Sequence, residues 1–324
     1  MPPHRSAASG RPARVVFVGS GAFAVPILHA LLGHGGAEVV GVVAPPDRPA
    51  GRRGTLTPVP VAAEARRLRL ELLQPERVRA PETVTAITGL HPDLGVLADF
   101  GRLVPTSILE IPAHGFLNVH PSLLPRHRGA TPIPATILAG DPEAGVTVMV
   151  MDAGLDTGPI IGARSWPLGE FETTPELEAR AAREGAELLG ELLEPFVRGD
   201  IRPAPQDDTA ATLTRALRRE DGCLDPRRPA AELERQVRAY RPWPGTYLDL
   251  PVGRLGVLRA GVAGRQDAEH AGTVVADGDG LALTARDGRL RLFEVQPAGG
   301  RPMAGAAYRR GHPSVVGQAV GGTS

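Results

Sequence analysis

Two short β-branched runs, Arg14-Val-Val-Phe-Val18 and Val39-Val-Gly-Val-Val43, bracket a stretch in which Phe23, Ile27, Leu28, Leu31 and Leu32 recur at helical spacing. Strand, helix and strand follow in that order, and both strands are apolar along nearly their whole length. Such strands are covered on two faces, as in a parallel pair. No other pattern in the chain constrains the fold as strongly: it calls for an open, doubly wound α/β sheet. Asp93–Ala98, Gly115–His120 and the alternating Gly145–Met151 supply further core strands. Thr174-Pro-Glu-Leu-Glu178 opens a long helix by cap, N1 proline and acidic first turn. Leu177, Ala181, Leu188, Leu189 and Leu192 form its apolar stripe.

The turn after the first strand, Gly19-Ser-Gly21-Ala-Phe-Ala24, loosely matches a dinucleotide-binding fingerprint. The second strand, however, ends in Ala44-Pro-Pro46 with Asp47 beyond, not in an acidic residue. A nicotinamide-dependent oxidoreductase is therefore disfavoured. The 324 residues suffice for two domains. No apolar run approaches ~18 residues, so no transmembrane helix is expected. Met1 to Ala13 lacks the apolar stretch of a secretory signal. Cys223 is the single cysteine, and no Cys/His group has zinc spacing. A cytoplasmic protein without a structural metal is expected.

Net charge is zero, but from Thr209 onward 17 Arg face 12 acids, and the chain has no Lys. That split suggests a basic module attached to an acidic body. The stretch from Pro195 to Thr214 is rich in Pro, Asp and Thr and has no periodicity, which marks a linker. The expected division is a catalytic domain over 14–195, a linker over 196–214 and a second domain over 215–312. The last begins with a helix, Ala230–Arg241, and a turn, Arg241-Pro-Trp-Pro-Gly-Thr246. Short strands then follow at Leu255–Leu258, Thr273–Val275, Leu281–Thr284 and Leu290–Val295. Several short strands with Gly punctuation suggest a small OB-like β-barrel. Trp243, between two prolines, is expected to fill its core.

Asn118 and His120 are two residues apart on a strand, so their side chains share a face. An amide can donate to a developing oxyanion, and an imidazole can exchange a proton near neutral pH. Asp156, in Gly154-Leu-Asp-Thr-Gly158, can orient the imidazole or simply form a turn. Each of these alone is ordinary. The run Ser122-Leu-Leu-Pro125-Arg-His-Arg128-Gly129 between them is not.

Taken together, Asn-x-His-x-Ser-Leu-Leu-Pro-x-x-Arg-Gly over 118–129 and Leu155-Asp-Thr-Gly158 resemble the signature of the folate-dependent formyltransferase family. The resemblance implies a Rossmann-like formyltransferase domain with Asn118, His120 and Asp156 as catalytic groups. It places Ser122, Leu123, Leu124 and Pro125 against the folate. The formyl donor would be 10-formyltetrahydrofolate, a co-substrate, with no tightly bound cofactor and no metal.

The acceptor is read elsewhere. Pro46 to Gly54 holds three Arg, two Gly and two Pro in nine residues, a composition foreign to strand and helix. Asp47-Arg-Pro-Ala-Gly-Arg52 resembles a loop of the family members that formylate methionyl-tRNA. That implies contact of Arg48, Arg52 and Arg53 with the acceptor end, Arg52 foremost. Leu233-Glu-Arg-x-x-Arg-Ala-x-x-Pro-Trp-Pro-Gly245 and Gln296–Met303 resemble the C-terminal tRNA-binding domain of the same members. Initiator methionyl-tRNA is the expected acceptor, and a monomer the expected state. Sugar-nucleotide or glycinamide-ribonucleotide formyltransfer and formyltetrahydrofolate hydrolysis are the alternatives. The chain departs from the family pattern at Gly21 (usually Pro), at Asp99 (usually Ala), at Gly54 and Thr55 (usually Lys) and at Pro134 (usually Gln). Pro134 is expected to break the helix over Ala130–Ala139.

Overall fold

The computed structural model describes residues 11–50, 54–264 and 270–321. Two compact units emerge. The first takes residues up to 132, 143–167 and 178–214; the second takes 133–142, 168–177 and 215 onward.

In chain order the elements up to residue 214 are β1 (Ala13–Gly19), α1 (Ala24–Gly33), β2 (Ala37–Val43), β3 (Arg48–Ala50), β4 (Thr55–Thr57), α2 (Pro60–Arg67), β5 (Leu72–Leu73), α3 (Pro81–Gly89), β6 (Leu94–Ala98), α4 (Thr106–Leu109), β7 (Phe116–His120), β8 (Arg128–Gly129), α5 (Pro132–Ala139), β9 (Glu143–Val150), β10 (Ile160–Pro167), α6 (Thr174–Arg198) and β11 (Leu213–Thr214). The main sheet runs β10-β9-β7-β6-β1-β2-β5. Pairs from β7 to β5 are parallel; β9 and β10 are added antiparallel. The strand order reverses between β1 and β6. The loops after these two strands therefore flank the crevice where such sheets bind ligands.

Every residue of β6 and β7 is buried. Gly95 on β6 makes this possible, since a Cβ there would overlap the Phe116 ring on β7. Full burial of a side chain the size of Phe116 is worth about 1.5–3 kcal/mol. Strand β9 was expected to alternate, yet it is buried continuously from Ala144 to Met149. It is an inner strand between β7 and β10, and its faces are covered by packed chain, including α6 over Val146 and Leu123 over Gly145. Helix α6 packs closely on this sheet: Cβ on Gly185 would come within 2.8 Å of Val119 and 3.2 Å of Val146.

The N-terminus of α1 is occupied by the chain's own carboxylates. The Glu178 carboxylate faces the Phe23 backbone N–H, and the Asp99 carboxylate lies against Gly21, whose N–H donates to the Asp99 backbone carbonyl at 3.4 Å. A dinucleotide pyrophosphate would need those same donors free of negative charge. The loose fingerprint at Gly19–Ala24 thus belongs to a turn that is not built for a nucleotide.

Several expectations change on folding. The basic loop holds a two-stranded hairpin, with Arg48 opposite Thr57 and Pro49 opposite Leu56. Pro49 is tolerated because a two-stranded ribbon has an edge on each side, where no N–H is required. Asp47 anchors its base by a bidentate pair with Arg66 at 2.8 and 3.2 Å and a bond from Gln74 at 2.9 Å. Arg52 and Arg53 lie outside the described residues. Pro134 does not break α5, because it occupies the third helical position, where no backbone N–H has an intrahelical partner to lose. Helix α6 continues through Pro195 to Arg198, and Phe196 is buried.

The second unit continues with α7 (Ala230–Ala239), β12 (Thr246–Leu250), β13 (Gly253–Gly264), β14 (Val274–Asp277), β15 (Gly280–Thr284), β16 (Gly288–Pro297), β17 (Met303–Ala304) and α8 (Gly305–Gly311). Its antiparallel sheet runs β12-β13-β16-β15-β14, with β17 paired to β16. Leu233 and Val237 on α7 join Leu248, Leu255, Val257, Leu283 and Leu290 in one core. Residues 133–142 and 168–177 belong here through Arg235, which donates to Leu138 O at 3.1 Å, and Arg238, which donates to Glu172 O at 2.8 Å. These pieces carry Asp141, Glu170, Glu172 and Glu176. The Arg excess of five over 209–324 therefore falls to one for the folded unit. Trp243 is not core: it is 53% exposed, with the Arg219 guanidinium 5.9 Å from its ring centroid. No helix among the described residues is long and apolar enough to cross a membrane.

Candidate active site

Asn118 and His120 end β7 with their side chains on one face, 6% and 4% exposed. Asp156 reaches both. Asn118 Nδ2 donates to its Oδ1 at 3.2 Å, and its Oδ2 lies 3.7 Å from His120 Nδ1. The Gly129 backbone N–H adds a 2.7 Å bond to Oδ2. Asp156 holds a left-handed backbone, φ +53°, which Asp tolerates better than most residues. Gly158 beside it must lack a side chain, since a Cβ would overlap Val150 O.

The tautomer of His120 follows from its other nitrogen. Nε2 lies 3.1 Å from the His127 carbonyl, which can only accept. The neutral ring therefore carries its proton on Nε2, and Nδ1 presents a lone pair toward Asp156. Burial pushes the His120 pKa below its ordinary value of 6.5; the Asp156 charge and the hydrogen bond to the His127 carbonyl oppose this, and the His127 side chain adds to it. The ring is thus held neutral, with its lone pair on Nδ1.

The segment after β7 is set by a residue that sequence reasoning missed. Thr147 on β9, register partner of His120, donates to Ser122 O at 2.7 Å and accepts from Leu124 N at 3.1 Å. The Ser122 hydroxyl is turned inward and donates to Arg126 O at 2.7 Å. Leu123 packs over Gly145, Leu124 is buried and Pro125 is half-buried. Side chains of this stretch thus mainly build the loop. Arg48 is exposed on its hairpin.

The segment 206–214, expected as a linker, is woven into the site. Thr212 O and Oγ1 accept from the N–H groups of Arg128 at 2.9 Å and His127 at 2.8 Å. Strand β11 pairs with β8, and Thr214 Oγ1 donates to Arg128 O at 3.0 Å. Gln206 bonds to the backbone around Asp156 and to the buried Arg128. Polar residues in an irregular stretch gave no signal of this, apart from the Arg128-Gly129 pair in the motif.

At the mouth of the switch-point crevice, Asp99 follows β6 with φ +45°. It keeps solvent access, yet its carboxylate is crowded by Gly21 and faces Glu178. Partial removal from water, reinforced by the Glu178 charge and opposed by the Gly21 backbone, raises its pKa to about 6.

The chain resembles known proteins over nearly its full length. Residues 13–193 match the formyl transferase family and 216–313 match the formyl transferase C-terminal domain. The methionyl-tRNA formyltransferase of Roseiflexus sp. is 42% identical over 314 residues, 97% of each chain. That of Chloroflexus aurantiacus is 44% identical over 301 residues, 92% of this chain and 96% of the relative. Among solved structures, an N-formyltransferase from Helicobacter canadensis, crystallised with folinic acid and dTDP-3-aminofucose, superposes with a TM-score of 0.63. It is 15% identical, over 86% of this chain and 98% of that one. HypX from Aquifex aeolicus, crystallised with tetrahydrofolic acid, superposes with a TM-score of 0.58 at 16% identity, over 92% of this chain and 47% of that one. At such identities the superpositions speak for the fold; the family follows from the sequence matches. The chain belongs to the formyl transferase family, together with the methionyl-tRNA formyltransferases.

Proposed function

We propose that this chain transfers the formyl group of 10-formyltetrahydrofolate to the α-amine of initiator methionyl-tRNA. The observation that carries the proposal is the single carboxylate, Asp156, within 3.2 Å of Asn118 Nδ2 and 3.7 Å of His120 Nδ1. The neutral amine attacks the formyl carbon and a tetrahedral oxyanion forms. Asn118 has a second amide hydrogen, beyond the one given to Asp156, to donate to that oxyanion. His120 Nδ1 takes the proton that the amine must lose. The resulting imidazolium is stabilised by Asp156 and can donate to the oxyanion in turn. The carbon–nitrogen bond to folate then breaks, and the folate nitrogen leaves with the proton that the His120 imidazolium gives up.

The folate acts as a co-substrate that docks on the 122–125 loop, mainly through its backbone. Arg48, Arg52 and Arg53 meet the acceptor end of the tRNA. The test is an acceptor panel with purified protein and 10-formyltetrahydrofolate: charged initiator tRNA, elongator methionyl-tRNA, free methionine, an amino-sugar nucleotide and buffer alone. Transfer to the initiator tRNA, exceeding the others, is the expected result. Preferential formylation of the sugar, or release of formate without acceptor, would assign the alternative activities.

A further inference from the structure

Gln206 lies in an irregular stretch between α6 and β11, with no catalytic atom of its own near the Asn118–His120 pair. Its carboxamide is nevertheless bonded at both ends. Nε2 donates to Asp156 O at 2.9 Å and to Gly158 O at 2.7 Å. Oε1 accepts from Arg128 Nε at 3.1 Å and from its terminal nitrogen at 2.8 Å. Carbonyls can only accept and a guanidinium can only donate, so these partners fix which end of the amide is which. Arg128 is itself buried, at 5% exposed, and also donates to Asp208 at 2.7 Å.

The bonds converge on a residue with a left-handed backbone. Asp156 sits at φ +53° without being glycine, a conformation that persists where surrounding contacts enforce it. Gln206 grips the carbonyls of Asp156 and Gly158, while Gly129, next to Arg128, grips the Asp156 carboxylate. One side chain thus ties together the two pieces of chain between which that carboxylate is aimed.

We infer that Gln206 is a positioning residue for formyl transfer: it holds Asp156 where one carboxylate serves both Asn118 and His120. The inference rests on the proposed catalytic role of Asp156. A displacement on the order of 1 Å in such a site can cost roughly 10²-fold in rate. The pH profile reports the same displacement independently. His120 is faced by Asp156, whose charge raises its pKa, and by His127, whose carbonyl raises it and whose side chain lowers it. Moving Asp156 away therefore lowers it further, and the acid limb of the rate profile shifts to lower pH.

The test compares full-length wild type, Gln206→Leu and Gln206→Glu in formyl transfer to charged initiator tRNA across pH. Gln206→Glu keeps the size and the Arg128 partner but replaces the donor to Asp156 O and Gly158 O by an acceptor. Both variants are expected to lose roughly 10²-fold in kcat, with KM for the formyl donor within about twofold and the acid limb moved to lower pH. Folded variants with kcat within about threefold of wild type would overturn the inference. So would a loss with an unmoved acid limb, or failure of both variants to fold, since either makes Gln206 a structural residue. An inactive wild type would instead indict the functional reading.

Discussion

The carboxylate of Asp99 occupies the space that a side chain on residue 21 would need: a Cβ on Gly21 would overlap it. Both positions depart from the family pattern, Gly21 from proline and Asp99 from alanine, and the two departures fit each other. Neither could be interpreted alone. In contact, a lost side chain on one loop makes room for a gained carboxylate on the next, at the point where the strand order reverses.

The pair has a pH signature. The folded-state pKa of Asp99 is raised from 3.8 to about 6, so between those values the folded chain holds more protons than the unfolded one. Stability contributed by this residue is lost as pH rises through that window. Asp99→Asn removes the charge at nearly constant shape. Its melting temperature relative to wild type is expected to increase from pH 4 to pH 7.5. A difference that is the same at both pH values contradicts the assignment.

Trp243 is expected to serve as a stacking surface for the tRNA, since it is half-exposed under an Arg219 guanidinium. The chain has two tryptophans, and Trp166 is 4% exposed. Quenching of intrinsic fluorescence on titration with tRNA should therefore disappear in Trp243→Phe. Base stacking on an aromatic is worth about 1–3 kcal/mol, so Trp243→Ala should weaken tRNA binding by roughly 5–150-fold. Quenching that survives in Trp243→Phe, or unchanged affinity, removes the residue from the interface. The folded unit's charge excess of one makes such local placement of Arg and aromatic groups more important than net charge.

Arg52 is expected to matter more than Arg48 or Arg53. Arginine can pair bidentately with phosphate and stack on a base, and Gly54 and Thr55 stand where relatives carry Lys. Arg52→Ala should depress transfer to methionyl-tRNA severely while leaving folate affinity unchanged, and Arg52→Lys should restore it only in part. Equal, small, salt-sensitive losses for alanine at all three positions would reduce the loop to a diffuse charge.

What the sequence revealed and what it hid differ by physical kind. The β1–α1–β2 opening was legible because apolar periodicity reports burial directly. That Asn118, His120 and Asp156 come together was legible because their residue types and spacing suit one proposed chemistry. Gln206, Thr212 and Thr214 were not, since polar residues that satisfy a site's backbone have the composition of a linker. The β3–β4 hairpin was hidden by Pro49, which excludes an inner strand but not an edge. Trp243 misled because an aromatic between prolines reads as packed. Thr147 could be found only through its register with His120.

The central claim is that Asp156 is shared between the oxyanion donor and the base. Asp156→Asn tests it most directly, because Asn tolerates the same left-handed backbone and preserves the shape. The measurement is the single-turnover rate of formyl transfer from 10-formyltetrahydrofolate to charged initiator tRNA, alongside Asn118→Ala and His120→Ala. Loss of one oxyanion-hole donor typically costs about 10²–10³-fold. Asp156→Asn is expected to fall at least that far with an unchanged melting profile, and so are the other two. A folded Asp156→Asn protein that transfers formyl within about threefold of the wild-type rate would contradict the account.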